Sequence, residues 1–174
     1  LEVVGSTIDY VLAELSHPDG GRYSAQDADS LPHPGADHAV EGAFYVWTPE
    51  EVAAALEAVG LGEHVAAVCE WYGITDAGNF EGRSIPNRLH ARGHLTRTPE
   101  IEAARRALVA ARANRPLPGL DDKVLTEWNA LMIATLAEAG AATGTTAWLT
   151  AANTAADFLL ANLRRNDGRW LRSW

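Results

Sequence analysis

A mainly α-helical chain with short β-hairpins is what this sequence predicts, and three observations carry the expectation. Two apolar stripes at helical spacing, within 124–139 and 148–163, are parted only by a Thr-Gly turn. Two Thr-Pro-Glu sequences, at 48–50 and 98–100, have the chemistry of helix starts. The aromatic and β-branched run Ala43–Trp47 and Tyr23 stand on either side of the proline-rich tract 31–38, which reads as a small hairpin with a long loop.

Along the chain, Val4, Ile8, Val11, Leu12 and Leu15 recur at three and four residues and define a first helix, stopped by the turn His17-Pro18-Asp19-Gly20-Gly21. After the hairpin, Thr48 is placed to accept from the Glu51 amide and Glu51 to reach back, a complete capping box with Pro49 at the first helical position. Val52, Ala55, Leu56 and Val59 form the buried face of this helix, Gly60 and Gly62 break it, and a short helix follows with Val65, Val68, Cys69 and Tyr72. Residues 73–97 read as a long irregular loop, of the kind that is more often functional than neutral. A helix runs from Thr98 to about Asn114 and is stopped by Pro116 and Pro118. Val124, Leu125, Trp128, Leu131, Met132, Leu136 and Ala139 then share one face, and Trp148, Ala152, Ala155, Phe158, Leu159 and Leu163 another, which predicts an antiparallel helix pair. Asn166-Asp167-Gly168 turns the chain into an extended end. Residues 1–174 are expected to form a single domain.

Fourteen Lys and Arg against 23 Asp and Glu give a net charge of -9, which opposes binding to a phosphate backbone. The arginines are spread along helices, so nucleic acid is not expected as a partner. Cys69 is the one cysteine, among apolar neighbours, and reads as an inert buried thiol. No run of about 18 apolar residues is present, so no membrane span is expected.

The chemistry-bearing residues fall in two segments. In 121–129, Asp121 and Asp122 precede a helix that Lys123 opens, with Thr126 and Asn129 near its mouth and Trp128 on its apolar stripe. Carboxylates for proton transfer, an amide for hydroxyl groups and a flat indole for a ring face suit a carbohydrate. An Asp before a helix is equally an N-cap, and burial habit favours Trp128 in the core. A mid-helix Asn is mildly unfavourable and harder to explain as packing. In 22–30, Asp27 and Asp29 project from the same face of an extended strand and Gln26 from the other. Two close carboxylates divide acid from base duties, although the same residues also make turns that bond their own backbone. The six histidines form no HExxH pattern, and no metal site or cofactor is expected.

Taken together, the segments RYSAQDADS at 22–30, GAFYVWTPEE at 42–51, NFEGRSIPN at 79–87 and DDKVLTEWNALMIATLAEAG at 121–140 resemble the spermatogenesis-associated, thioredoxin-fused proteins and their bacterial relatives. The resemblance implies an α/α toroid of the six-hairpin glycosidase kind, shared with N-acylglucosamine 2-epimerases, following a thioredoxin-like domain. A toroid takes more hairpins than this chain supplies, so the chain is expected to be part of one. The resemblance further implies a cytoplasmic, carbohydrate-active protein. Asp27, Asp29, Asp121 and Asp122 are its candidate catalytic carboxylates, and Gln26, Trp47, Lys123, Trp128 and Asn129 its candidate substrate-binding residues. Two alternatives stand beside it. One is a non-catalytic scaffold binding a glycan or a protein beside its thioredoxin-like neighbour. The other is a sugar 2-epimerase, which brings His90 and His94 into consideration as proton shuttles, although their local pattern matches no such motif.

Overall fold

The computed structural model describes residues 1–94 and 96–174; Leu95, in the segment 89–95, lies outside them. In chain order the described elements are α1 (Glu2–Glu14), β1 (Ala25–Gln26), β2 (Asp29–Ser30), β3 (Val40–Glu41), α2 (Pro49–Glu57), α3 (Val65–Tyr72), α4 (Pro99–Arg112), β4 (Leu120–Asp121), α5 (Thr126–Thr143) and α6 (Thr146–Asn162). Short 3-10 turns sit at Gly62–His64 and Leu89–Ala91. The chain is therefore mainly helical with short antiparallel strands, and it divides into two compact units, residues 1–27 with 120–174 and residues 28–119.

The first unit is organised on the antiparallel pair α5 and α6. Val124 near the start of one packs with Phe158, Leu159 and Leu163 near the end of the other, and Leu136 packs with Ala152 and with Ile8 of α1. Gly140 lets the helices close: a Cβ there would sit 2.9 Å from the Leu149 side chain. Gly20, at φ +107, turns the chain after α1 in a conformation that side chains rarely adopt, with its Cα facing the Thr154 backbone. β1 pairs with β4, placing Ala25 opposite Asp121. Asn129 is 1% exposed and explains its own position. Its Oδ1 accepts from the Arg22 amide at 2.7 Å, and its Nδ2 donates to the Arg22 and Leu125 carbonyls, both at 2.9 Å.

Two expectations about this unit, and one about the second, are corrected. The apolar stripe of α5 does not bury all its members, since Trp128 is 55% and Leu131 69% exposed. The stripe was drawn too wide: Val124, Asn129, Leu136 and Gly140 are the buried set. Nor does Lys123 open α5. The helix begins at Thr126 with Leu125 at its N-cap, so neither Asp121 nor Asp122 is a cap. Cys69, in the second unit, is partly rather than fully buried, and burial pushes its thiol up from the ordinary value.

In the second unit β2 and β3 form the expected hairpin around the proline-rich tract, with Asp29 opposite Glu41 and Ser30 opposite Val40. Its strands are not the expected ones. The run Ala43–Trp47 turns rather than extends, with one bridge from Trp47 to Ser84, because Gly42, at φ +71, bends the chain and its carbonyl accepts from the Tyr45 and Val46 amides. A bend at Ala28 likewise keeps Asp27 and Asp29 off a common strand. The Thr48–Glu51 capping box forms as expected and starts α2. Val52 and Leu56 of α2, Val68 of α3, and Ile101, Ala104 and Leu108 of α4 make the core with Trp47 and Ile74.

Glu51 does more than cap. Its carboxylate takes Arg83 Nη2 at 2.5 and 2.6 Å and Arg115 Nη2 at 3.2 Å. Arg115 Nη1 donates to the Val46, Phe44 and Ala43 carbonyls at 2.6, 3.1 and 3.4 Å, and its guanidinium lies 4.1 Å from the Trp47 ring centre. One arginine thus satisfies the carbonyls of a turn that has no strand partner.

Two predictions follow from these braces. Asn129→Ala strands a buried amide and a buried carbonyl of Arg22, and we expect a loss of about 2–4 kcal/mol in urea unfolding; a change within 0.5 kcal/mol, on the order of a neutral surface substitution, would refute the bracing role. Burial pushes the Glu51 carboxyl up, but the bonds from Arg83 and the Thr48 amide and the charges of Arg115 and Arg83 outweigh it and hold the group below its ordinary 4.5. A carboxylate depressed by folding stabilises above its unfolded pKa and loses that contribution as pH falls through the folded one. The stability gap between wild type and Glu51→Gln should therefore be full at neutral pH and narrow once the pH drops below 4.5; a gap independent of pH would count against the ion pair.

Candidate functional site

The candidate residues of the first unit are held in different ways. Asp121 lies in β4, where its carbonyl accepts from the Ser24 amide and hydroxyl and its carboxylate takes Lys123 Nζ at 2.5 Å. The Lys123 hydrogen bond holds the Asp121 carboxyl below the ordinary range. That favours an ionised group and opposes proton donation. Asp122 is exposed, as is Asp27. Gln26 accepts from the Tyr10 hydroxyl at 2.8 Å. Trp128 presents its indole to solvent on the first turn of α5. Asn129 has both amide hydrogens committed to backbone carbonyls inside the unit.

In the second unit Asp29 is exposed on β2, across from Glu41. Two carboxylates at facing positions repel, which weakens so short a ladder. Trp47 is 5% exposed and belongs to the core. The loop residues Asn79 and Asn87 fold the loop itself: Asn79 brackets Ile85 with bonds to its amide at 2.7 Å and its carbonyl at 3.0 Å, and Asn87 bonds the Ile85 carbonyl and the Leu89 amide. Glu81 and Gly82 make the two-residue turn between Phe80 and Arg83 with φ +47 and +75, so Glu81 holds a conformation that non-glycine residues seldom take.

A cleft of about 520 Å³ runs along α3 to the N-terminus of α4. His64 stands at the α3 N-terminus and Thr98 and Glu100 at the α4 N-terminus; Glu70 and Trp71 come from α3, and Arg88 and His90 from the irregular loop. Arg88 lies with its guanidinium 3.5 Å from the Trp71 ring centre, held by the Trp71 carbonyl at 2.5 Å and the His94 carbonyl at 3.0 Å. Hydrogen bonds with its own backbone and the Thr98 side chain keep the Glu100 carboxyl below the ordinary range. The cleft thus gathers carboxylate, imidazole, hydroxyl and guanidinium groups beside an indole. No group of three or more His, Cys, Asp or Glu side chains placed to hold a metal ion occurs among the described residues.

Sequence reasoning passed over Glu70, Trp71, Arg88, Glu100 and His64. A signal existed in the Thr-Pro-Glu start of α4, which fixes Thr98 and Glu100 at a helix mouth, but nothing local says that α3 lies beside it. Among the described residues no helix is long and apolar enough to cross a membrane.

No family model matches the chain. Among curated proteins it is 36% identical to human spermatogenesis-associated protein 20 across 91% of its own length, and 36% identical to the mouse protein of that name across the same share. An uncharacterised Caenorhabditis elegans protein is 34% identical across 85% of the chain. The chain spans 23% of the length of each of these relatives. Over nine-tenths of its residues, then, this chain is homologous to a segment of spermatogenesis-associated protein 20, which supports the family that its four motif segments resemble.

Proposed function

We propose that the chain is a carbohydrate-recognising part of an α/α toroid, which in the longer protein follows a thioredoxin-like domain. The observation that carries this reading is the cleft along α3 and the N-terminus of α4, where Trp71, Glu70, Glu100, His64 and His90 line one space of about 520 Å³. Its size accommodates a mono- or disaccharide, and clefts of this range take small ligands. Carboxylates and imidazoles bond the hydroxyl groups of a sugar; the Trp71 indole has the Arg88 guanidinium stacked on one face, 3.5 Å from the ring centre. The exposed indole of Trp128, with Asp122 in the segment before it, supports a second contact with a glycan on the first unit.

Between the chemistries open to such a site, epimerisation has a specific observation behind it. Hydrolysis needs one carboxylic acid kept protonated near neutrality beside a second carboxylate. Asp121 is shifted the wrong way for the acid by Lys123, and Glu100 by its own backbone and Thr98. Epimerisation at a carbon next to a carbonyl needs a base that removes the carbon-bound proton and an acid that returns one to the opposite face. His64 and His90 both line the cleft, and an imidazole can take up or give a proton through its ring nitrogens.

Saturation-transfer NMR with glucose, mannose and N-acetylglucosamine in deuterated buffer reads both claims at once. Transfer to a sugar is expected for the wild type and is weakened at least about fivefold in Glu70→Gln and His90→Ala, a loss on the order of one hydrogen bond. Solvent deuterium appearing at C2 would support the histidine chemistry, and its absence alongside binding would favour the scaffold. Binding unchanged in both variants would remove the cleft from the proposal, and no transfer to any sugar would remove the carbohydrate.

A further inference from the structure

The formal charges on the cleft along α3 do not balance. Glu70, Glu100 and Arg88 line it, so two carboxylates share the space with one guanidinium. Arg88 is already engaged. Its Nη1 donates to the Trp71 carbonyl at 2.5 Å, its Nη2 and Nε donate to the His94 carbonyl at 3.0 and 3.3 Å, and its central carbon lies 3.5 Å from the Trp71 ring centre. Its partners are two backbone carbonyls and an indole, and neither carboxylate is one of them.

Glu70 is the more available of the two acids. His64, Ala67, Glu70 and Trp71 recur at three and four residues and all line the cleft, so they share one face of α3 and its N-cap. Glu70 is exposed, and its carboxylate has no hydrogen bond or ion pair among the described residues. Glu100 sits in the first turn of α4, where hydrogen bonds with its own backbone and the Thr98 side chain hold its carboxyl below the ordinary range. It is therefore negative at neutral pH and reinforces the field of Glu70. The imidazoles do not reverse that sign. Even with His64 and His90 both charged, Glu63, 3.6 Å from His64 Nε2, brings the acids to as many as the cations.

We infer that the cleft takes an amino sugar with a free ammonium, its charged nitrogen donating to Glu70 within the field of Glu100 and its hydroxyl groups bonding the imidazoles. This rests on the sugar reading of the cleft and names the class of sugar. An ammonium brings three donors and a charge where a hydroxyl brings one donor, and charge-assisted bonds are the stronger kind. A sugar acid or sugar phosphate would meet two carboxylates and a guanidinium that is already committed, and an N-acetyl group removes the charge that Glu70 selects. Because both acids are exposed, water and salt screen the pair and the preference is modest.

The probes are glucosamine, glucose, N-acetylglucosamine and glucuronate, titrated into the chain at neutral pH and followed by saturation-transfer NMR. Glucosamine is expected to bind about fivefold more tightly than glucose, the scale of one exposed ion pair. N-acetylglucosamine should fall near glucose, and glucuronate should be the weakest. Raising sodium chloride to about 0.5 M should shrink the advantage of glucosamine and leave glucose unchanged. Glu70→Gln keeps the size of the side chain and, with no internal bond to lose, should keep the wild-type urea midpoint while bringing the affinities for glucosamine and glucose together. Sugar binding with no preference for glucosamine, or a preference that survives in Glu70→Gln or in high salt, would overturn this inference and leave the sugar reading standing. No transfer to any of the four sugars would overturn both.

Discussion

The structure depends on satisfying buried backbone where no regular element does so. Between the helices the strands are two residues long, which leaves many amides and carbonyls without a ladder. Side chains take up that role. Arg115 serves three carbonyls of the turn before α2, and Asn129 serves the amide and carbonyl of Arg22 in the turn after α1. Ser84, fully buried, bonds the Thr75 amide and carbonyl with one hydroxyl. The Arg115 and Asn129 braces tie residues distant in sequence, so the irregular segments are positioned by polar contacts at specific atoms and the helices by apolar packing.

Charge follows the same division. Across the whole chain acidic residues outnumber basic ones and the net charge is -9. Within the second unit, however, Glu51 gathers Arg83 and Arg115, and Glu102 gathers Arg97, Arg105 and Arg106. In each cluster one carboxylate takes more than one arginine. Net charge is what underlies the expectation that nucleic acid is not a partner, because that binding needs a basic face.

Helix identity and capping were legible in the sequence because they are local. Thr48 and Glu51 cap as their spacing dictates, and the α5–α6 pair follows from periodicity and a Gly-Thr turn. The hairpin was legible as a hairpin but not in its strands, since Gly42 at φ +71 bends a run whose β-propensity alone favours extension. Trp128 was misassigned to the core because an apolar stripe does not say how wide the contact with α6 is. The cleft was illegible for a different reason. It needs the register of α3 against α4, and contacts between residues such as Trp71 and Arg88 depend on a loop whose path nothing local fixes.

Motif residues that look catalytic on paper thus divide by whether their polar atoms are already committed. Asn129 has no amide hydrogen left to offer, Asn79 and Asn87 are committed to their own loop, and Asp121 is held ionised by Lys123. A ligand competes poorly for such atoms, because displacing a buried internal bond returns little beyond what was lost. Groups that face open space lie elsewhere, in the cleft along α3 and the N-terminus of α4. Recognition is therefore better sought where the fold leaves a polar atom under-used beside an apolar wall than where the most distinctive letters of the sequence stand. By that criterion the ligand chemistry we propose for the second unit belongs to α3, α4 and the loop between them, while its motif residues Asn79 and Asn87 brace the irregular backbone.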